Sequence, residues 1–67
     1  MTIGDLVYVR KCILPNGKIV SAIGVVKGIS IMSTLEYEVW FPEFGCGMYF
    51  VEEEIVLLED YHGYTER

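Results

Sequence analysis

Two thiols, one imidazole and a run of three carboxylates are the groups of this chain with reactive chemistry. Cys46 stands between Gly45 and Gly47, a setting that can bare a thiol for nucleophilic attack. No base stands near it in sequence, and catalysis needs nucleophile, base and positioning group together. Zinc takes three or four ligands, and only His62 could join Cys12 and Cys46. That histidine lies in a polar C-terminal stretch. Two cysteines are also too few for a disulfide scaffold, and in a reducing compartment they serve as small hydrophobes. Glu52, Glu53 and Glu54 place carboxylates side by side, yet acids on one short turn read as a solvated face. There is no Gly-x-Ser-x-Gly elbow and no phosphate-cradling loop. These residues argue against an enzyme, and assign no catalytic residue, metal or cofactor.

The aromatic residues carry a better signal. Over residues 35–41 the side chains alternate, so a strand sets Tyr37, Val39 and Phe41 on one face and Glu36, Glu38 and Trp40 on the other. The first set is a core row, which turns Trp40 outward. Tyr49 is likewise out of phase when Met48 and Phe50 face inward. Phe44 lies in the connection between these strands, and Tyr8 comes from the first strand. Trp and Tyr supply much of the energy at protein interfaces. The candidate partner-binding residues are therefore Trp40, Phe44, Tyr49 and Tyr8, with Glu38 and Glu43 as an acidic rim. The alternative is that the domain covers these rings with its own loops or tail.

The elements that would position them are short strands, near residues 5–11, 20–29, 35–41, 47–51 and 55–58. Pro15-Asn16-Gly17 reverses the chain, either as a tight hairpin or within a longer, partly paired loop. Gly24 and Gly28 interrupt an apolar run and mark corners or close backbone approach. Pro42 lacks an amide donor and ends regular pairing. Glu52, Glu53 and Glu54 form one 3-10 turn before the last strand, with acids at its positive end. The expected core is Val7, Val9, Val26, Val39, Phe41, Phe50 and Ile55. Residues 1–60 make the domain, and residues 61–67 a polar tail, ordered only where a tyrosine docks it.

Sixty-seven residues, 52% of them hydrophobic, suit one small domain near the lower limit for independent folding. Its wealth of Val, Ile and Tyr favours strands. No apolar run is long enough to span a membrane, and no basic-then-apolar leader opens the chain, so the expected location is cytoplasmic. The net charge of -5 is unevenly placed. Residues 1–34 hold Arg10, Lys11, Lys18 and Lys27 against Asp5, whereas residues 35–67 hold nine acids against Arg67. An acidic chain is poorly suited to phosphate backbones, and an acidic face suits a basic partner.

The pattern Gly4-Asp5-x-Val7-x-Val9, Ile23-Gly24-x-Val26-x-x-Ile29, Tyr37-x-Val39-x-Phe41 and Phe50-x-x-x-x-Ile55-x-x-Leu58 resembles small SH3-like barrels of the KOW, Tudor-like and PsaE-like kinds. The resemblance spans residues 3–59 and implies an all-β, five-stranded barrel with a long first connection and a one-turn helix before the last strand. It implies no single function, since such domains include RNA-binding modules, docking subunits, enzyme accessory chains and phage proteins that bind host machinery. KOW-type and PsaE-like members use basic faces, and the acidic second half departs from both. The reading is a non-catalytic protein-interaction module, of the kind found among phage or mobile-element accessory proteins that bind or inhibit a host protein. Its partner is another protein or a second copy, in a homodimer joined at an open strand edge. The rival readings are nucleic-acid binding through the basic first half and a structural subunit of a larger assembly.

Overall fold

The computed structural model describes residues 1–61; His62 and the remainder of the expected tail lie outside the described residues. Alternating apolar and polar side chains produce five strands: β1 (Leu6–Ile13), β2 (Ile19–Ile31), β3 (Leu35–Phe41), β4 (Cys46–Val51) and β5 (Ile55–Leu57). A 3-10 turn at Glu52–Glu54 precedes β5 and a second, Leu58–Asp60, follows it. The protein is all-β among the described residues, and every pairing is antiparallel. The order in the sheet is β4-β3-β2-β1-β5. Among the described residues β4 and β5 are its edges, and hydrogen bonds do not close it into a barrel.

The first connection is the tight hairpin. Ile13 pairs with Ile19, the Leu14 amide donates to the Lys18 carbonyl at 2.8 Å, and the Gly17 amide donates to the Leu14 carbonyl at 2.8 Å. Gly17 takes φ 88°, which a side chain would oppose. The long first connection implied by the resemblance is therefore absent. β1 and β2 run further than expected because this hairpin and the one joining β2 to β3 keep pairing beyond the core.

The core draws on every strand: Val7, Val9 and Cys12 from β1, Ala22 and Val26 from β2, Tyr37, Val39 and Phe41 from β3, Phe50 from β4 and Ile55 from β5. Val7, Val9, Cys12, Val26, Val39 and Phe41 are 0% exposed. No helix longer than a 3-10 turn lies over this face among the described residues. Such burial follows only if the sheet curls around its own inner face. The Phe41 ring meets Phe50 edge-on at 6.0 Å and Phe44 at 6.4 Å, a favoured aromatic arrangement.

Two β-bulges keep the alternation productive. Val9 pairs with Ala22 and Cys12 with Val20, so Arg10 and Lys11 together face Ser21. Without this insertion the alternation would turn Lys11 inward in place of Cys12. In β2, Val26 pairs with Val39 and Gly28 with Glu38, which leaves Lys27 as the extra residue. The first bulge holds Lys11 out of the core, and the second sets Ile29 opposite Tyr37 of the core row.

At Gly24 the neighbouring β3 residues leave no room for a side chain. A Cβ there would fall on the Val39 side chain and lie 2.8 Å from the Trp40 carbonyl oxygen. A Cβ at Gly28 would meet the Glu38 Oε1 atom at 2.9 Å, the free end of a flexible side chain. Gly24→Ala should therefore lose about 1–3 kcal/mol, as overpacked cores do, and Gly28→Ala less than about 0.5 kcal/mol. Urea denaturation checks both. Val39→Ala should cost about 1–3 kcal/mol by opening a cavity, measured in the same way.

Candidate functional site

Cross-strand register decides which outward side chains become neighbours. Trp40 of β3 stands opposite Gly47 of β4 and Val25 of β2, and Val25 stands opposite Leu6 of β1. Residues paired across strands share a face, so Leu6, Val25 and Trp40 form an apolar stripe across three strands. The next outward row joins Ile23, Tyr8 and Val56 of β2, β1 and β5. Beside the stripe, Glu38 pairs with Tyr49 and Glu36 with Val51. The outer face thus has an apolar region over β1 and β2 and an acidic border on β3.

Trp40 is 38% exposed, Leu6 54% and Tyr49 62%. The indole owes its partial cover to Gly47: its Cε3 atom would lie 3.5 Å from a Cβ at that glycine. A large ring over a strand glycine covers backbone that would otherwise face water.

Of the six residues singled out from the sequence, Trp40, Glu38 and Tyr49 come together on this face. Phe44 does not: in the turn after Phe41 it packs inward against the core. Glu43 is exposed in that same turn, off the strands. Tyr8 shares the outer face but stacks on Tyr61, with ring centroids 4.0 Å apart and planes inclined by 8°. The chain after β5 is thereby docked by a tyrosine as far as residue 61. Leu6 and Val25 were not singled out, and only the strand register reveals their place beside Trp40.

A second feature lies between β1 and the first 3-10 turn. An open groove of about 270 Å³ has Tyr8, Arg10 and Lys11 on one side, Glu53 and Glu54 on the other, and Ile55 and Val56 along β5. Glu54 also accepts a hydrogen bond from the Val51 amide through Oε1 at 3.0 Å, which fixes the start of the turn. The four basic residues of the first half do not form one stripe. Arg10 and Lys11 share the groove with two acids, Lys18 sits in the β1–β2 turn, and Lys27 in the β2 bulge.

The thiols lie on the inner side. Cys46 pairs with Phe41 on the core face, and Cys12 is fully buried. Burial, and then the nearby Cys46, push the Cys12 thiol up, so it is no activated thiolate at neutral pH. No group of three or more His, Cys, Asp or Glu side chains among the described residues is placed to hold a metal ion. No helix of the described residues is long and apolar enough to cross a membrane.

Comparison with family models, curated proteins and solved structures finds no match for this chain.

The stacked tyrosines divide their protons unequally. The neighbouring Ser21 hydroxyl and then that of Tyr61, with a smaller effect of Arg10, lower the Tyr8 pKa. The neighbouring Tyr8 hydroxyl raises that of Tyr61. Tyr8 should thus ionise first, below the ordinary tyrosine range, while Tyr61 keeps its proton. A folded-state pKa lowered in this way favours folding only once pH rises past that value, so neutral-pH stability does not report it. Tyrosinate absorbance against pH checks the order: Tyr8→Phe should remove the earliest transition, and Ser21→Ala should move it upward.

Proposed function

We propose that this chain is a non-catalytic SH3-like interaction module that binds another protein through its outer sheet face. The observation that carries the reading is the stripe of exposed Leu6 and Trp40 with half-buried Val25 between them among the described residues, and Tyr49 exposed beside Glu38. Contiguous exposed apolar groups with a polar border mark interaction surfaces. The occupant is a protein surface with an apolar ridge flanked by Lys or Arg, because Glu36 and Glu38 border the stripe and the chain carries a net charge of -5. In this role the chain is a cytoplasmic accessory protein that occupies a basic site on its partner. The antiparallel strand order and the 3-10 turn before β5 support the SH3-like assignment.

Self-pairing is a second form of the same reading. The edge strand β4, Cys46–Val51, holds no proline and no charged residue, the devices that usually protect an edge. Nucleic-acid binding is disfavoured by the dispersal of the basic residues and by Glu53 and Glu54 beside Arg10 and Lys11.

Trp40 is the sole tryptophan, so its fluorescence reports the site directly. Trp40→Ala should weaken binding of a captured protein by about 2 kcal/mol or more and lower the melting temperature only slightly. Glu38→Lys should weaken the same complex, and binding should protect the wild-type indole from acrylamide. A variant that unfolds, or that retains full affinity, overturns the assignment. Concentration-dependent dimerisation in light scattering identifies a second copy as the partner. RNA or DNA binding that falls steeply with salt and ignores Trp40 would replace the proposal by the nucleic-acid reading.

A further inference from the structure

The inner face of the sheet gathers sulfur at one place. Cys46 and Met48 are two residues apart on β4, so they point to the same side, opposite Phe41 and Val39 of the core row. Cys12 reaches this region from β1 because the bulge turns it, and not Lys11, inward. Its Sγ atom lies 3.7 Å from the Met48 Sδ atom. We propose that Cys12, Cys46 and Met48 form a binding site for a soft monovalent metal ion, Cu(I) in particular.

The distance fits that use. A metal–thiolate bond is about 2.3 Å long, so two sulfurs on one trigonal ion lie about 4 Å apart. The Cys12–Met48 separation of 3.7 Å needs little adjustment to admit the ion. Cys46 lies two residues from Met48 on the inner side of β4 and supplies the second thiol.

Donor chemistry selects the metal. Thiolate and thioether sulfurs prefer Cu(I), whereas Ca²⁺ and Mg²⁺ take oxygen ligands. No buried polar or charged side chain lies in the described core, so no carboxylate competes there. Three sulfurs also fall short of the four ligands usual in a structural zinc site. Cys46 and Met48 are only half-buried, and β4 is a sheet edge. The ion therefore has a path past them to the buried Cys12.

Binding is a ligand exchange without electron transfer. One thiol S–H bond breaks, its proton passes to buffer, and a Cu–thiolate bond forms. The Met48 thioether donates a lone pair, and the other cysteine completes the site as thiol or thiolate. A packed S–H to S contact between Cys12 and Met48 alone would require nothing of Cys46, and the variants separate the two cases.

The test is an anaerobic titration of the reduced chain with Cu(I) against a chromophoric Cu(I) chelator, repeated with Ag(I) as a redox-inert probe. The wild-type chain should retain one ion, gain thermal stability, and show only sulfur around copper by X-ray absorption. Met48→Leu preserves volume and should keep the fold while weakening retention by about tenfold or more. Cys46→Ser, at a half-buried position, should do the same. Loss of all copper to the chelator by the wild-type chain overturns the proposal. So does equal retention by the folded Met48→Leu and Cys46→Ser variants, or nitrogen and oxygen neighbours in the absorption spectrum.

Discussion

A single layer of strands can hide one of its faces only by bending around it. That constraint governs this molecule, because no helix longer than a 3-10 turn covers the sheet among the described residues. Six side chains are nevertheless 0% exposed. Hydrophobic burial drives the curl, and the curl then dictates local sequence. Gly24 is bare because Val39 and the Trp40 carbonyl occupy the space a side chain would need. The register shifts beside Val9 and Val26 fall within the two longest strands, where bulges add bend and twist.

The same bulges explain which parts of the fold were legible in the sequence. β3 has no register shift against β4, so plain alternation over residues 35–41 gives its core row of Tyr37, Val39 and Phe41. The inward choice in β1 is harder, since Leu6 and Tyr8 compete with Val7 and Val9. Cys12 reads as a small hydrophobe, but alternation does not place it in the core row, because two residues, Arg10 and Lys11, separate it from Val9 and break the period. Strand ends were set too short for a different reason. Ile13 pairs with Ile19 and Ile31 with Leu35, yet Ile13, Ile19 and Ile31 are 60–75% exposed. Backbone hydrogen bonds extend these hairpins where burial no longer does, and a hydrophobic pattern does not report that.

For the surface, phase within one strand was readable and proximity between strands was not. Trp40 follows from its place between Val39 and Phe41. Phe44 has no such guide: a turn has no period, and its ring goes inward to Phe41. The apolar stripe depends on Val25 standing between Leu6 and Trp40, which is a fact of register. Gly24 offered the one available clue. A glycine forced inward by a close approach leaves Ile23 and Val25 to face out.

β4 shows how one short strand serves both faces. Its inward residues, Cys46, Met48 and Phe50, meet Phe41, Val39 and Tyr37; its outward residues, Gly47, Tyr49 and Val51, meet Trp40, Glu38 and Glu36. Period two thus sets the sulfur cluster directly behind the indole and its glycine support. β4 is bonded on one side only, so its position rests on the β3 ladder and on the side chains packed against it. Gly47 adds no side chain of its own to that packing. The six-residue ladder with β3 is what fixes this part of the edge. A group that binds either face of β4 therefore acts on an edge strand, paired through β3 alone.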